Sequence, residues 1–272
     1  IAGSGPLINN GTMTFTGGNS TISSPVENKA GNTLEVRGNV AVFQGAVVNR
    51  GNFKTTAANV VFQSLVSNAG TFYSDPSLQD FQAGFHNIDN NDGTPGFITT
   101  DPDEGIDRFR TGADFHISTA NFELWNTTGA RLEFYKGPGN TTGVHSLIYA
   151  GLDYGLASDS NGYLGFQKNL SWAEVLIETG NILATGTEDG RALYTEKLIF
   201  GSTNLADILA QVENFSGDLK IYYDPADNPY LQEQTFLFGE GEGYIAPVPE
   251  PSAMLLAGIG AIALSFRRRR QA

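Results

Sequence analysis

Few residues in this chain are equipped for chemistry. There are three histidines, His86, His116 and His145, and no cysteine. None of the histidines forms the His-x-x-x-His pair with which a helix holds catalytic zinc. Without cysteine there is no thiol nucleophile, thiolate metal ligand or disulfide. The Gly-x-Ser-x-Gly elbow and the Gly-x-x-x-x-Gly-Lys phosphate loop are also missing. What remains is carboxylate chemistry. Asp89-Asn90-Asn91-Asp92-Gly93 has the composition of a calcium loop, but its register is one residue short and Thr100 stands where a glutamate is needed. Asp89 and Asp92 are therefore weak calcium candidates, with Asp101, Asp103, Glu104 and Asp107 nearby. A solvated acidic loop is the default reading, and neither a resident metal nor a cofactor is expected. Paired carboxylates in a cleft cleave sugars. Asp101, Asp103 and Asp107 are the candidates for that work, with Arg108 or Arg110 on the substrate, although nothing in the spacing brings them together. Trp125, Tyr135, Tyr149 and Tyr163 are of the type that stacks on sugar rings, yet such residues more often fill a core.

The elements that would position these side chains follow from composition and periodicity. The chain has 272 residues, with 33 glycines, 18 phenylalanines and 10 tyrosines, enough apolar material for a core. A net charge of −13 is a poor match for a phosphate backbone, so no nucleic-acid partner is expected. The charge is zoned. Residues 1–80 balance four acids against four bases, residues 81–250 hold 25 acids against eight bases, and four arginines close the chain.

The neutral zone repeats. Asn9-Asn10-Gly11, Asn28-Lys29-Ala30-Gly31, Asn49-Arg50-Gly51 and Asn68-Ala69-Gly70 bring back the same turn at a period of about 20 residues. Asn19, Asn39 and Asn59 keep the same step between them, as do Ile22, Val42 and Phe62. Val26, Val47 and Val66 hold the same phase. The intervening segments are short and rich in β-branched and aromatic residues, and no helical period appears. Such a period of short strands suits one coil of a parallel β-solenoid. Asn19, Asn39 and Asn59 are expected to stack as an amide ladder over Ile22, Val42 and Phe62. A meander or sandwich whose turns merely favour Asn-Gly is the alternative.

The acidic zone is less regular. Residues 86–107 are rich in Gly, Pro and Asp and read as a loop or insertion. Strands are expected at Asp114–Ile117, Asn121–Trp125, Arg131–Tyr135, Gly162–Phe166, Glu174–Ile177, Ala192–Phe200, Leu219–Tyr223 and Gln234–Phe238. Ser202–Asn214 has apolar residues at helical spacing behind Ser, Thr and Asn caps. That helix either covers the open end of the solenoid or lies on its surface.

The C-terminus carries the most specific pattern. Val248-Pro249-Glu250-Pro251 precedes an apolar stretch, Ser252–Phe266, and then Arg267, Arg268, Arg269 and Arg270. As a helix the stretch would reach about 22 Å against a hydrocarbon core of about 30 Å, short for a permanent span. The arginines, able to snorkel, suit a transient membrane anchor and keep their own end cytoplasmic. A buried core helix with a basic tail is the alternative, but the segment has no polar face.

This three-part tail resembles the PEP-CTERM sorting signal of bacterial surface proteins, over Val248 to Gln271. The resemblance implies export, recognition by an exosortase-type membrane protease near Pro249-Glu250-Pro251, and removal of the hydrophobic tail. It also implies a bacterium that makes extracellular polysaccharide and biofilm matrix. Ala192–Leu198 and Leu219–Asp224 are similar to the closing coils of solenoid ectodomains in that group. The chain begins at Ile1 with the repeat in phase by Asn9 and no secretory leader, which suggests a truncated start.

The sequence is thus read as an all-β protein, a parallel β-solenoid (β-helix) of about 20-residue coils with a short capping helix and a C-terminal hydrophobic sorting helix. Four segments are expected: 1–85 regular repeats, 86–110 acidic loop or insertion, 111–246 irregular solenoid and cap, and 247–272 sorting signal. The expected role is an exported surface or matrix protein, structural or adhesive and without enzymatic activity, with extracellular polysaccharide as a candidate partner. The rival reading is a polysaccharide lyase or hydrolase on the same scaffold.

Overall fold

The computed structural model describes residue 3 and residues 5–89, 96–101, 105–119, 122–156, 165–186 and 191–248. Alternation of apolar and polar residues along three- to five-residue runs sends every second side chain inward, and asparagine or glycine turns the chain between runs. The chain winds into a parallel β-solenoid of about nine turns. Its described strands form three sheets of eight, five and eleven strands. The first sheet begins with Leu7–Asn9, the second with Thr12–Thr16 and the third with Asn19–Ile22. The second sheet ends at Phe97–Thr100, and the later coils are built mainly from the first and third sheets.

Coil length sets the register. Leu7, Val26, Val47, Val66 and Phe85 pair in succession on the first sheet. The asparagines that end these strands, Asn9, Asn28, Asn49, Asn68 and Asn87, are separated by 19, 21, 19 and 19 positions. The next two steps, from Phe85 to Phe115 and from Phe115 to Leu147, are more than half as long again. The common period of the first coils therefore conceals unequal turns, and this corrects the expected ladder. Asn19 and Asn59 both pair with Val40, so Asn39 stands one residue out of register with them. A one-residue slip turns a side chain to the opposite face. Asn19 and Asn59 are exposed, whereas Asn39 is buried and donates to Ser20 Oγ at 3.1 Å. Likewise Phe43, not Val42, stacks between Ile22 and Phe62.

The amide ladder exists one corner away. Asn9, Asn28, Asn49, Asn68 and Asn87 are buried and align on successive coils. Each of the first four donates to the next Oδ1, at 2.8, 2.7, 2.7 and 2.8 Å. The second amide hydrogen goes to a carbonyl of the neighbouring coil, for example from Asn49 to Thr71 O at 2.8 Å. At Gly51 and Gly70 the glycine serves close approach. A Cβ on Gly70 would lie 2.1 Å from Gly51 O, and one on Gly51 2.3 Å from Asn32 O.

The interior is stacked phenylalanine. Phe43 and Phe62 lie 5.3 Å apart between ring centroids, Phe62 and Phe81 5.0 Å, and Phe53 and Phe72 4.9 Å, all near-parallel. Identical side chains on paired parallel strands meet at the strand spacing, so the repeat itself produces the stack.

Other elements depart from expectation in the irregular half. Residues 86–107 include the strand Phe97–Thr100, which pairs with Thr71–Ser74 as the second-sheet strand of its coil. The segment is thus partly an elongated coil. Phe122–Trp125 is a turn, and the strand begins at Thr127. Gly165–Lys168 is one helical turn where composition predicts the end of a strand. The helix Leu205–Val212 is present, its Asn204 Oδ1 accepting from Ala206 N–H at 2.9 Å. It sits at a corner, where Gln211 Nε2 donates to Glu178 O and Asn181 O. The last coil ends in Phe236–Phe238, which pairs antiparallel with the final strand Gly243–Pro247.

Candidate functional site

Of the described acidic candidates, Asp101 and Asp107 lie close enough to act on one another electrostatically. Asp89 is exposed and Asp101 is half-buried, bonded to the Tyr73 hydroxyl. Asp92, Asp103 and Glu104 lie outside the described residues. Asp107 points into the solenoid. It accepts from Ser74 Oγ and from Ser77 N–H, the latter at 2.8 Å. Burial pushes its carboxyl up to about 6, against the lowering effect of those two bonds. Its Oδ2 has no partner, and neither has Gln79 Oε1 in the same buried polar group.

Arg108 and Arg110, on the same strand, point outward. Strand alternation therefore divides the carboxylate from the two arginines that follow it in the chain. Arg108 grips Glu133 through two bonds of 2.6 and 2.8 Å. Arg110 lies 3.4 Å from the same carboxylate and covers the Tyr135 ring at 3.8 Å. Arg131 pairs with Glu174, and Lys197 reaches Glu174 at 3.8 Å. The outer face of the third sheet is thus a charge ladder running from coil to coil.

The aromatics divide as their burial dictates. Trp125, Tyr135 and Tyr149 are at least nine-tenths buried. Tyr163 lies outside the described residues. Tyr135 donates to Asp80 Oδ1 at 2.5 Å, and burial with that carboxylate holds its hydroxyl far above the ordinary range. Tyr194 and Tyr222 lie on adjacent coils with ring centroids 4.8 Å apart and planes tilted by 37°, and both bond to Asp153, which Lys220 approaches at 3.4 Å. These tyrosines come from the two segments that resemble closing coils, and the structure pairs them directly.

His86 and His116, far apart in sequence, are opposite one another on paired strands. Their period is concealed by the elongated coil, and only the matching Phe-His pairs, Phe85-His86 and Phe115-His116, would have signalled it. Burial lowers both imidazoles below the usual histidine value. His145 is fully buried between Ala113 O and Asn181 Oδ1.

The pocket beside Ile117, Ile148, Tyr149 and Arg191 encloses about 240 Å³. Small-molecule sites usually span about 300–1,000 Å³.

The final strand leads directly to the tail. Tyr223 pairs with Pro247, and Val248, buried, donates its N–H to Tyr223 O at 2.9 Å. Residues 247–270 match the family profile of the PEP-CTERM protein-sorting motif. The chain carries a PEP-CTERM sorting signal. None of the curated proteins and none of the solved structures compared matches it. The PEP-CTERM signal marks an exported protein, sorted at its C-terminus and recognised by exosortase. Pro249, Glu250, Pro251, the apolar stretch Ser252–Phe266 and Arg267–Arg270 lie outside the described residues. Among the described residues no helix is long and apolar enough to cross a membrane.

Proposed function

We infer that the protein is a non-enzymatic scaffold or adhesin of the bacterial surface or extracellular matrix, released from a transient membrane anchor by exosortase. The observation that carries this reading is that the final strand, Gly243–Pro247, and the Val248 N–H bond to Tyr223 O run directly into the matched sorting segment, 247–270. The folded body is presented by the tail with no intervening domain. The outer face of the third sheet supports a structural role, because Arg108 with Glu133, Arg131 with Glu174 and Tyr194 with Tyr222 engage one another from coil to coil. Such ladders stiffen a rod and leave repeated polar surface for extracellular polysaccharide. Ser252–Phe266 holds the precursor only until processing near Pro249-Glu250-Pro251, with Arg267–Arg270 on the cytoplasmic side.

Localising a tagged full-length precursor with and without the exosortase tests the reading. The tagged body is expected at the surface or in the matrix when the protease is present, and in the membrane fraction when it is absent. The mature protein is then incubated with matrix polysaccharide. Retention without new reducing ends or unsaturated uronides supports a binding role, whereas release of either product would establish a carbohydrate-active enzyme.

A further inference from the structure

The outward-facing positions of the first sheet form a column in which Ser67, His86, His116 and Ile148 succeed one another on paired strands. His86 and His116 stack with centroids 4.1 Å apart and planes 11° from parallel. Asp114 lies two residues before His116 and so projects from the same face. Each of the three side chains offers one ligand atom, and these atoms all lie within 4.8 Å of one another. Ser146, on the next strand, steadies two of them. Its N–H donates to Asp114 Oδ1 at 3.0 Å, and its Oγ lies 3.0 Å from His116 Nε2. All three are half-buried, and backbone pairing rather than a loop tip brings His86 to the other two.

We propose that His86, Asp114 and His116 bind one divalent transition-metal ion of the zinc class on the outer face of the first sheet. Two imidazoles and one carboxylate match the donor preference of Zn²⁺, whereas Ca²⁺ takes six to eight oxygens and Mg²⁺ retains water. Bonds of about 2.0–2.2 Å require the three atoms to draw closer than they stand. Side-chain rotation supplies that movement, since the strands already hold the three residues side by side. Ser146 is the positioning residue, fixing the orientation of His116 and Asp114 as outer partners of metal ligands do. Three protein ligands leave at least one coordination position facing solvent, open to water or to a donor group of a matrix molecule.

The test is titration of the full chain, in mild detergent and without a polyhistidine tag, with Zn²⁺ alone. Calorimetry is expected to show one saturable equivalent. His116→Ala and Asp114→Asn abolish or sharply weaken it, Ser146→Ala weakens it about 10- to 100-fold, and Asp89→Asn leaves it unchanged. Because the chain has only three histidines, NMR of the unmodified protein gives a readout that needs no variant to fold. Zn²⁺ should shift the ring signals of His86 and His116 and spare those of His145. No saturable binding, binding that survives in the doubly substituted H86A/H116A chain, or ring shifts confined to His145 would overturn the site.

Discussion

Val248 donates its backbone N–H to Tyr223 O at 2.9 Å, and Pro249 is the next residue. The last described bond of the solenoid and the Pro249-Glu250-Pro251 motif are therefore neighbours in the chain. Changing Glu250 to Ala should leave the anchor intact and the precursor uncleaved at the membrane. Placing Asp at Ile259 should cost about 2.5–3.5 kcal/mol of insertion free energy, enough to release uncut protein into the medium. Mass spectrometry of surface protein checks both. Mature molecules that retain Arg267–Arg270 would show a permanent anchor.

Asn49→Ala should destabilise the protein by about 1–3 kcal/mol, because it leaves Asn28 Nδ2 and Asn68 Oδ1 without their mutual link inside a dry corner. Asn59→Ala, at an exposed position, should change little. Urea midpoints of the two variants decide the matter; equal midpoints would remove the ladder as a source of stability.

Gly70→Ala and Gly11→Ala test the reason for glycine at the corners. The Cβ at Gly70 would meet Gly51 O at 2.1 Å, while nothing lies within 4 Å of one at Gly11. Overpacking of this kind costs about 1–3 kcal/mol. Thermal melts should therefore separate the two alanine variants clearly, with Gly11→Ala near the parent.

Asp107 should make stability depend on pH. Its folded-state carboxyl sits at about 6 against an ordinary value of 3.8, so the folded protein favours the protonated form. The destabilisation is absent below pH 3.8, grows as pH rises through this interval and is complete above about 6. Asp107→Asn should thus stabilise the protein at pH 7 by about 1–2 kcal/mol, allowing for screening, and have little effect near pH 3.5. Urea denaturation at both pH values measures the difference. A variant less stable than the parent at pH 7 would show that the ionised carboxylate is needed by Ser74 and Ser77.

Local sequence suffices for the parallel solenoid, the strand Ala192–Phe200, the helix near Leu205 and the sorting signal. Each rests on information carried within a short stretch: strand composition, a short period, an asparagine cap, an ordered tail. Which asparagines form the ladder is settled only by the pairing of coils in space. Turns that vary between 19 and 21 positions average to the same period for every column, and strand pairing alone distinguishes Asn9-Asn28-Asn49 from Asn19-Asn39-Asn59. Folding also sends Asp107 inward and Arg108 and Arg110 outward, because alternation has no absolute sense until one face is buried. The same holds for His86 and His116, which an elongated coil separates in sequence and one strand spacing unites in space. Contacts between coils are set by the closure of each turn around the core, and a coil of irregular length leaves no period from which to read them.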